Sequence, residues 1–226
     1  MCGRFYADSE MINEIMRVVD SFDGSIRDRA GGDVRPSQSA VVIRRSGGSF
    51  SGRTAGLTAD PNAGQTAGPN AGLTAGPNDG LAADTMRWGF PGRAGKGLLI
   101  NARAETALQR PTFRESVRHR RCVIPAGYFY EWDAGKNQVT FRQPEQPVIF
   151  MAGFYSVFET EERFVILTAQ ANDSVRPVHD RMPLILERDE LKTWICEDGA
   201  LEQILAKENP MLQSHREYEQ QVLPIF

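Results

Sequence analysis

The sequence predicts an α+β domain built on a mostly antiparallel sheet that curls on itself. Short stretches rich in β-branched and aromatic residues follow one another closely after residue 86, with Gly or Pro between them. Helical periodicity is confined to a few short segments. Strands and helices also fail to alternate regularly, as a doubly wound parallel sheet would require.

From the N-terminus, Asp8 or Ser9 can cap a helix in which Ile12, Ile15, Met16 and Val19 fall on one face. After the Gly31-Gly32 turn, residues 40–44 read as a strand. The composition then changes abruptly. Residues 55–62, 63–70 and 71–78 are three tandem octapeptides of the form AGxTA(G/D)PN. A period so rich in Gly, Pro, Thr and Asn has almost nothing to bury and cannot offset its ordering entropy. A low-complexity insertion in a surface loop, at about 46–82, is therefore expected rather than a solenoid, whose periods are longer and carry apolar positions. Folded sequence is expected to resume at Met86. Strands are predicted at 98–101, 121–124, 128–132, 138–142, 148–151, 153–157, 164–169 and 184–186, and helices at 112–118, 189–195 and 200–207.

A chain of 226 residues with 41% hydrophobic residues can bury a substantial core. One domain spanning 1–226, interrupted by the insertion, is expected. The first ten residues include Arg4, Asp8 and Glu10 and no apolar run, and no segment reaches the length of a membrane span. The expectation is a soluble, monomeric, cytoplasmic or nucleoid-associated protein with no membrane partner. Three cysteines, Cys2, Cys122 and Cys196, are an odd number at wide spacing without a CxxC pair. That fits a reducing compartment and argues against a disulfide framework and a structural zinc site. A Cys3His site using His179 has no supporting spacing, and neither metal nor cofactor is expected.

The net charge of −3 does not suggest a polyanionic partner, yet basic residues cluster at Arg87, Arg93 and Lys96 and again at Arg118, His119, Arg120 and Arg121. Candidate chemistry begins at Cys2. Removal of Met1 would leave a terminal cysteine with two nucleophiles on adjacent carbons, an α-amine of pKa near ~8 and a thiol near ~8.5. Together they can close a five-membered thiazolidine on an aldehyde, whereas an internal cysteine offers sulfur alone. Three further segments carry polar groups in suggestive settings: 101–106 (NARAET), 121–132 (RCVIPAGYFYEW) and 168–183, which ends in HDRMP. A nucleophile elbow, a phosphate-cradling Gly loop and an HExxH metal motif are all absent.

The series MCGRF at the start, RWGF at 87–90, NARAET, RCVIPAGYFYEW and HDRMP resembles the SOS-response-associated peptidase (SRAP) family along the whole chain apart from the insertion. The resemblance implies a single domain, a pseudo-barrel with a few peripheral helices. It also implies covalent capture of abasic sites in single-stranded DNA through the processed Cys2, with a proposed autoproteolytic activity behind the family's name. Catalytic positions carried over are Cys2, Asn101, Glu131 and His179. Glu131 and His179 match an acid and base suited to Schiff-base formation, and Asn101 can fix the attacking amine. Arg4, Arg87 and Arg103 suit phosphate oxygens, Trp88 offers a face for base stacking, and Pro36 matches a loop near the DNA. A thiol peptidase pairing Cys2 with His179 is the alternative, and a noncovalent single-strand binder a third.

Overall fold

The computed structural model describes residues 2–22, 26, 31–47, 80–92 and 96–216. In chain order the first half holds β1 (Phe5–Ala7), α1 (Ser9–Met16), β2 (Gly32–Val34), β3 (Ser39–Arg45), β4 (Leu81–Trp88), β5 (Phe90–Pro91), β6 (Leu98–Leu99), β7 (Asn101–Arg103), α2 (Ala104–Ala107) and α3 (Pro111–His119). The second half holds β8 (Arg121–Ala126), β9 (Tyr128–Trp132), β10 (Gln138–Arg142), β11 (Ile149–Phe158), β12 (Glu161–Gln170), β13 (Arg181–Pro183), β14 (Ile185–Leu186), α4 (Glu190–Cys196), α5 (Leu201–Leu205) and β15 (Gln213–Arg216). The expected class is correct: an α+β pseudo-barrel of mostly antiparallel strands with peripheral helices.

Five strands close on themselves. β4 pairs with β3, β3 with β8, β8 with β11 and β11 with β12, all antiparallel, and β12 returns to β4 in parallel. Every residue of β8 is buried. The barrel lies on one side of it, while β1, α1 and α4 pack nearby, so residues 122–126 read as a continuous apolar run rather than an alternation. A second, five-stranded sheet runs β15-β10-β9-β1-β2. The two sheets meet through aromatic rings: Phe5 of β1 lies 5.2 Å from Trp88 of β4, which stacks on Phe164 of β12 at 6.1 Å.

Several differences from the sequence expectation have physical causes. Residues 148–151 and 153–157 belong to one strand, β11. Gly153 between them is no break; a Cβ there would meet Ile124 Cδ1 at 2.4 Å and the Val165 carbonyl oxygen at 2.6 Å, so glycine lets β8 and β12 approach β11. Strand β4 begins at Leu81, ahead of the expected Met86, because small Ala82 and Ala83 conceal a strand that pairs along the whole of β3. The octapeptides lie outside the described residues. The residues that flank the insertion are neighbours, with the Ser46 N–H donating to the Gly80 carbonyl at 2.8 Å, so it joins adjacent antiparallel strands. The 98–101 strand divides into β6 and β7, which enter different sheets. Strands β1, β2, β13 and β15 escape pattern reading because each has four residues or fewer. Asp8 caps α1 as expected, accepting from the Met11 N–H at 2.8 Å, but Met16 ends outside the core at 43% exposure. No helix among the described residues is long and apolar enough to cross a membrane.

The Arg118–Arg121 run is partly architectural. The Arg121 side chain is 2% exposed. Its guanidinium donates to the carbonyls of Val117 and Arg118 at the end of α3 and of Trp194 and Ile195 at the end of α4, and pairs with Asp198 at 2.7 Å. One cation thus meets orphan carbonyls of two helix C-termini. Arg120 donates to the Tyr155 carbonyl and to Ser116. Arg121→Ala would bury those acceptors unpaired and is expected to cost about 3 kcal/mol or more. Urea denaturation checks this: the midpoint should fall with the slope unchanged.

Candidate active site

Cys2 is held in place through its neighbour in the chain, β1. That strand is flanked on each side, with Phe5 opposite Val34 of β2 and opposite Phe129 of β9. The Tyr130 N–H donates to the Arg4 carbonyl at 3.0 Å, which carries the pairing toward the chain start and brings Glu131 alongside Cys2 and Gly3. Gly127, just before β9, permits this packing: a Cβ there would lie 2.8 Å from the Asp8 carboxylate that caps α1. Cys2 is fully buried, and its thiol points at the Arg4 carbonyl at 3.7 Å. Burial pushes the thiol pKa far up, and the Glu131 charge pushes it further.

Asn101 reaches Cys2 from another sheet. It opens β7, which lies parallel to β12 with Asn101 opposite Ile166. Its Nδ2 donates to the Cys2 carbonyl at 2.8 Å, while its Oδ1 is buried with no hydrogen-bond partner among the described residues.

Glu131 alternates with Tyr130 and Trp132 on β9 and is 2% exposed. Burial raises its pKa above the ordinary 4.5, and its interactions with the neighbouring amine and the His179 ring oppose that rise. His179 ends the turn after β12, its N–H donating to the Val175 carbonyl at 3.0 Å. The Arg181 N–H donates to His179 Nδ1 at 2.9 Å, while an Asp180 carboxylate oxygen also lies 2.9 Å from that nitrogen. Nδ1 cannot accept from the first and donate to the second at once. The buried backbone donor is the stronger constraint, because Asp180 is 87% exposed and has water as a partner. Cys2, Asn101, Glu131 and His179, far apart in sequence, therefore form one connected group.

The residues expected to meet DNA divide. Arg103 is exposed and makes no ion pair among the described residues; the nearby acidic Glu105 is engaged with Arg181. Arg87 is 40% exposed, pairs with Glu161 at 3.1 Å and donates to the Ser37 carbonyl. Arg4 is bound to Asp33 and Gln138 and lies 4.3 Å over the Tyr130 ring. Burial acts against the Asp33 charge, but Arg4 and the Tyr130 hydroxyl hold its pKa below the usual range. Pro36 is half-buried in the tight turn between β2 and β3, where Ser37 has φ 71°. Trp88 departs from expectation. It is fully buried and its Nε1 donates to the Ile100 carbonyl at 2.9 Å, so no ring face is left for a base.

A cleft of about 300 Å³ opens beside Asn101, lined by Leu99, Arg103, Thr106, Arg110 and Phe113. Arg110 was not singled out from the sequence, since an isolated arginine before a proline carries no signal. Arg181 and Glu105 lay within recognised motifs without a role. The Arg181 guanidinium holds Glu105 with two bonds of 2.7 and 2.9 Å and donates to the Thr168 carbonyl at 2.6 Å, tying the NARAET segment to HDRMP.

Known proteins resemble this chain in both sequence and fold. The abasic site processing protein YoaM of Bacillus subtilis is 37% identical over 106 residues, which are 43% of this chain and 47% of that protein. The abasic site processing protein YedK of Escherichia coli is 37% identical over 124 residues, 51% of this chain and 55% of that protein. The chain thus spans about half the length of the curated relatives it matches. A crystal structure of a Bordetella bronchiseptica protein superposes with a TM-score of 0.68 at 22% identity, covering 96% of this chain and 100% of that one, a likeness of fold. The family model of SOS response associated peptidases matches residues 1–225, and the chain belongs to the SRAP family.

Proposed function

We propose that this protein acts in the DNA damage response by capturing abasic sites in single-stranded DNA, through a thiazolidine formed by the processed Cys2. The observation that carries this proposal is the convergence on Cys2 of the Asn101 amide and the buried Glu131 carboxyl.

After Met1 removal the Cys2 α-amine is the first nucleophile. It attacks the aldehyde carbon of the ring-opened lesion, and the carbinolamine loses one water to give an imine. The thiol then adds across the C=N bond, sulfur bonding to carbon and the thiol proton passing to nitrogen, for a net loss of one water. The buried Asn101 Oδ1 is an acceptor the new amine can satisfy, which would hold the lone pair toward the lesion. Burial keeps a protonated fraction of Glu131 available to assist departure of the hydroxyl, and the His179 ring supplies a second proton relay.

The raised thiol pKa supports this order, since addition to an imine tolerates a thiol whose proton moves in the same step. A thiol peptidase needs the thiolate first, so that alternative has less support. Exposed Arg103 and Arg110 beside the Asn101 cleft supply phosphate contacts despite the net charge of −3.

Intact mass after mixing with abasic single-stranded DNA should show the adduct on protein beginning at Cys2. Cys2→Ala retains an amine, and so a borohydride-trappable imine, but should lose the heat-stable adduct; wild-type stability of that adduct would end the proposal.

Glu131→Gln and His179→Ala should slow crosslinking by roughly ten- to a thousandfold on protein already beginning at Cys2, with DNA affinity near wild type. Glu131→Gln should also alter stability in a pH-dependent way. A raised native pKa means the folded chain holds that proton more tightly than the unfolded chain. Wild-type stability is therefore lost as pH rises from below 4.5 through the raised value. The Gln variant escapes that loss, so urea titrations should find it the more stable protein at about pH 7 and the advantage gone at about pH 4.

Arg103→Ala should weaken noncovalent single-strand binding whatever the sequence and flatten its salt dependence by a slope of about 0.7, one phosphate contact. Arg87→Ala, starting from an ion-paired group, should change the slope less. Binding measured across a salt series checks both.

A further inference from the structure

We infer that Glu105 and Arg181 are positioning residues that set the tautomer of His179, leaving its proton on Nε2. This rests on the proposed role of the Cys2 site. His179 Nδ1 has two competing neighbours at 2.9 Å, the Arg181 backbone N–H and the Asp180 carboxylate. The first can only donate and the second only accept. A bare Nδ1 accepts from the Arg181 N–H and leaves the ring proton on Nε2; a protonated Nδ1 donates to Asp180, bares Nε2 and strands the Arg181 N–H.

Which arrangement holds depends on how firmly each neighbour is fixed. Asp180 is 87% exposed and exchanges with water. Arg181 is fixed from both ends. Its backbone sits opposite Gln170 in the β12–β13 pair, and the Ala171 N–H donates to the Asp180 carbonyl at 2.9 Å. Its guanidinium, 8% exposed, is gripped by both Glu105 oxygens and by the Thr168 carbonyl. Burial works against the Glu105 charge, but Arg181 holds its pKa below the usual carboxylate range, so the grip persists at neutral pH. Glu105 belongs to α2, which succeeds β7 directly, so one clamp holds His179 in register with Asn101. A neutral ring with Nε2–H can donate a proton in the first encounter with the lesion, whereas the other tautomer can only accept one there.

Long-range proton–nitrogen correlation spectra of 15N-histidine protein read the tautomer directly, and a His179→Gln spectrum assigns it among the three histidines. Wild type should show a bare Nδ1. Glu105→Gln should shift the ring toward Nδ1–H and slow crosslinking by about tenfold. Asp180→Asn removes the competing acceptor, and its amide can donate to Nδ1. Alone it should keep the wild-type tautomer, and in Glu105→Gln/Asp180→Asn it should restore both tautomer and rate to within about twofold. Arg181→Lys, which keeps the charge but loses the fork, is the second test should Glu105→Gln fold poorly, and should shift the ring in the same sense. A wild-type Nδ1–H, an unchanged tautomer in the folded variants, or slow crosslinking that Asp180→Asn does not rescue would overturn the inference. A shifted tautomer with unchanged crosslinking would uphold the clamp and instead remove His179 from the proposed reaction.

Discussion

The region around Cys2 is governed by the backbone pairing of one three-residue strand. β1 is too short to hold a position by itself, yet β2 and β9 occupy both of its edges. Phe5, its first residue, is buried against Trp88 of the barrel. Residues 4–7 are therefore as constrained as a core strand, where segments near a terminus ordinarily fray. Cys2 inherits that constraint, and Asn101 and Glu131 meet it from β7 and β9.

Three buried arginines carry out a complementary task. Arg44 lies between Asp84 and Glu162, Arg121 meets the carbonyl ends of α3 and α4, and Arg181 grips Glu105 and Thr168. Each ties several segments together at one point, through a planar fork whose several donors fix direction as well as distance. A guanidinium so engaged is unavailable to a ligand. This is why the basic residues of the sequence overstate the cationic surface: Arg121 lies inside the run that reads as a charged patch, while Arg103 and Arg110 stand exposed beside the Asn101 cleft.

The site also holds groups that work against stability. Glu131 is buried with its pKa raised, and Asn101 Oδ1 has no hydrogen-bond partner among the described residues. Burying such groups is unfavourable, and they persist because the closed barrel and the sheet laid against it over-determine the backbone around them. Elsewhere the buried arginines are ion-paired and most of the core is apolar, with Phe129, Phe141, Phe154 and Phe164 all fully buried.

How much was legible depended on whether the signal was local. Strands β9 and β10 match the sequence reading to the residue and α1 is capped by Asp8 as expected, because apolar alternation and capping chemistry are written in neighbouring side chains. The five motifs also marked Cys2, Asn101, Glu131 and His179 as residue types able to perform one chemistry. Pattern could not show β1, β2 or β15, whose few residues pair only because partners come from elsewhere, nor that Gly153 is a point of close approach rather than a break. It could not place Trp88 in the core, since an indole reads alike in a core and on a binding face. By itself the sequence determined the class of fold and the candidate reactive groups. Their burial and their pairing were decided only by tertiary structure, because those properties belong to contacts between residues such as Glu105 and Arg181, 76 positions apart.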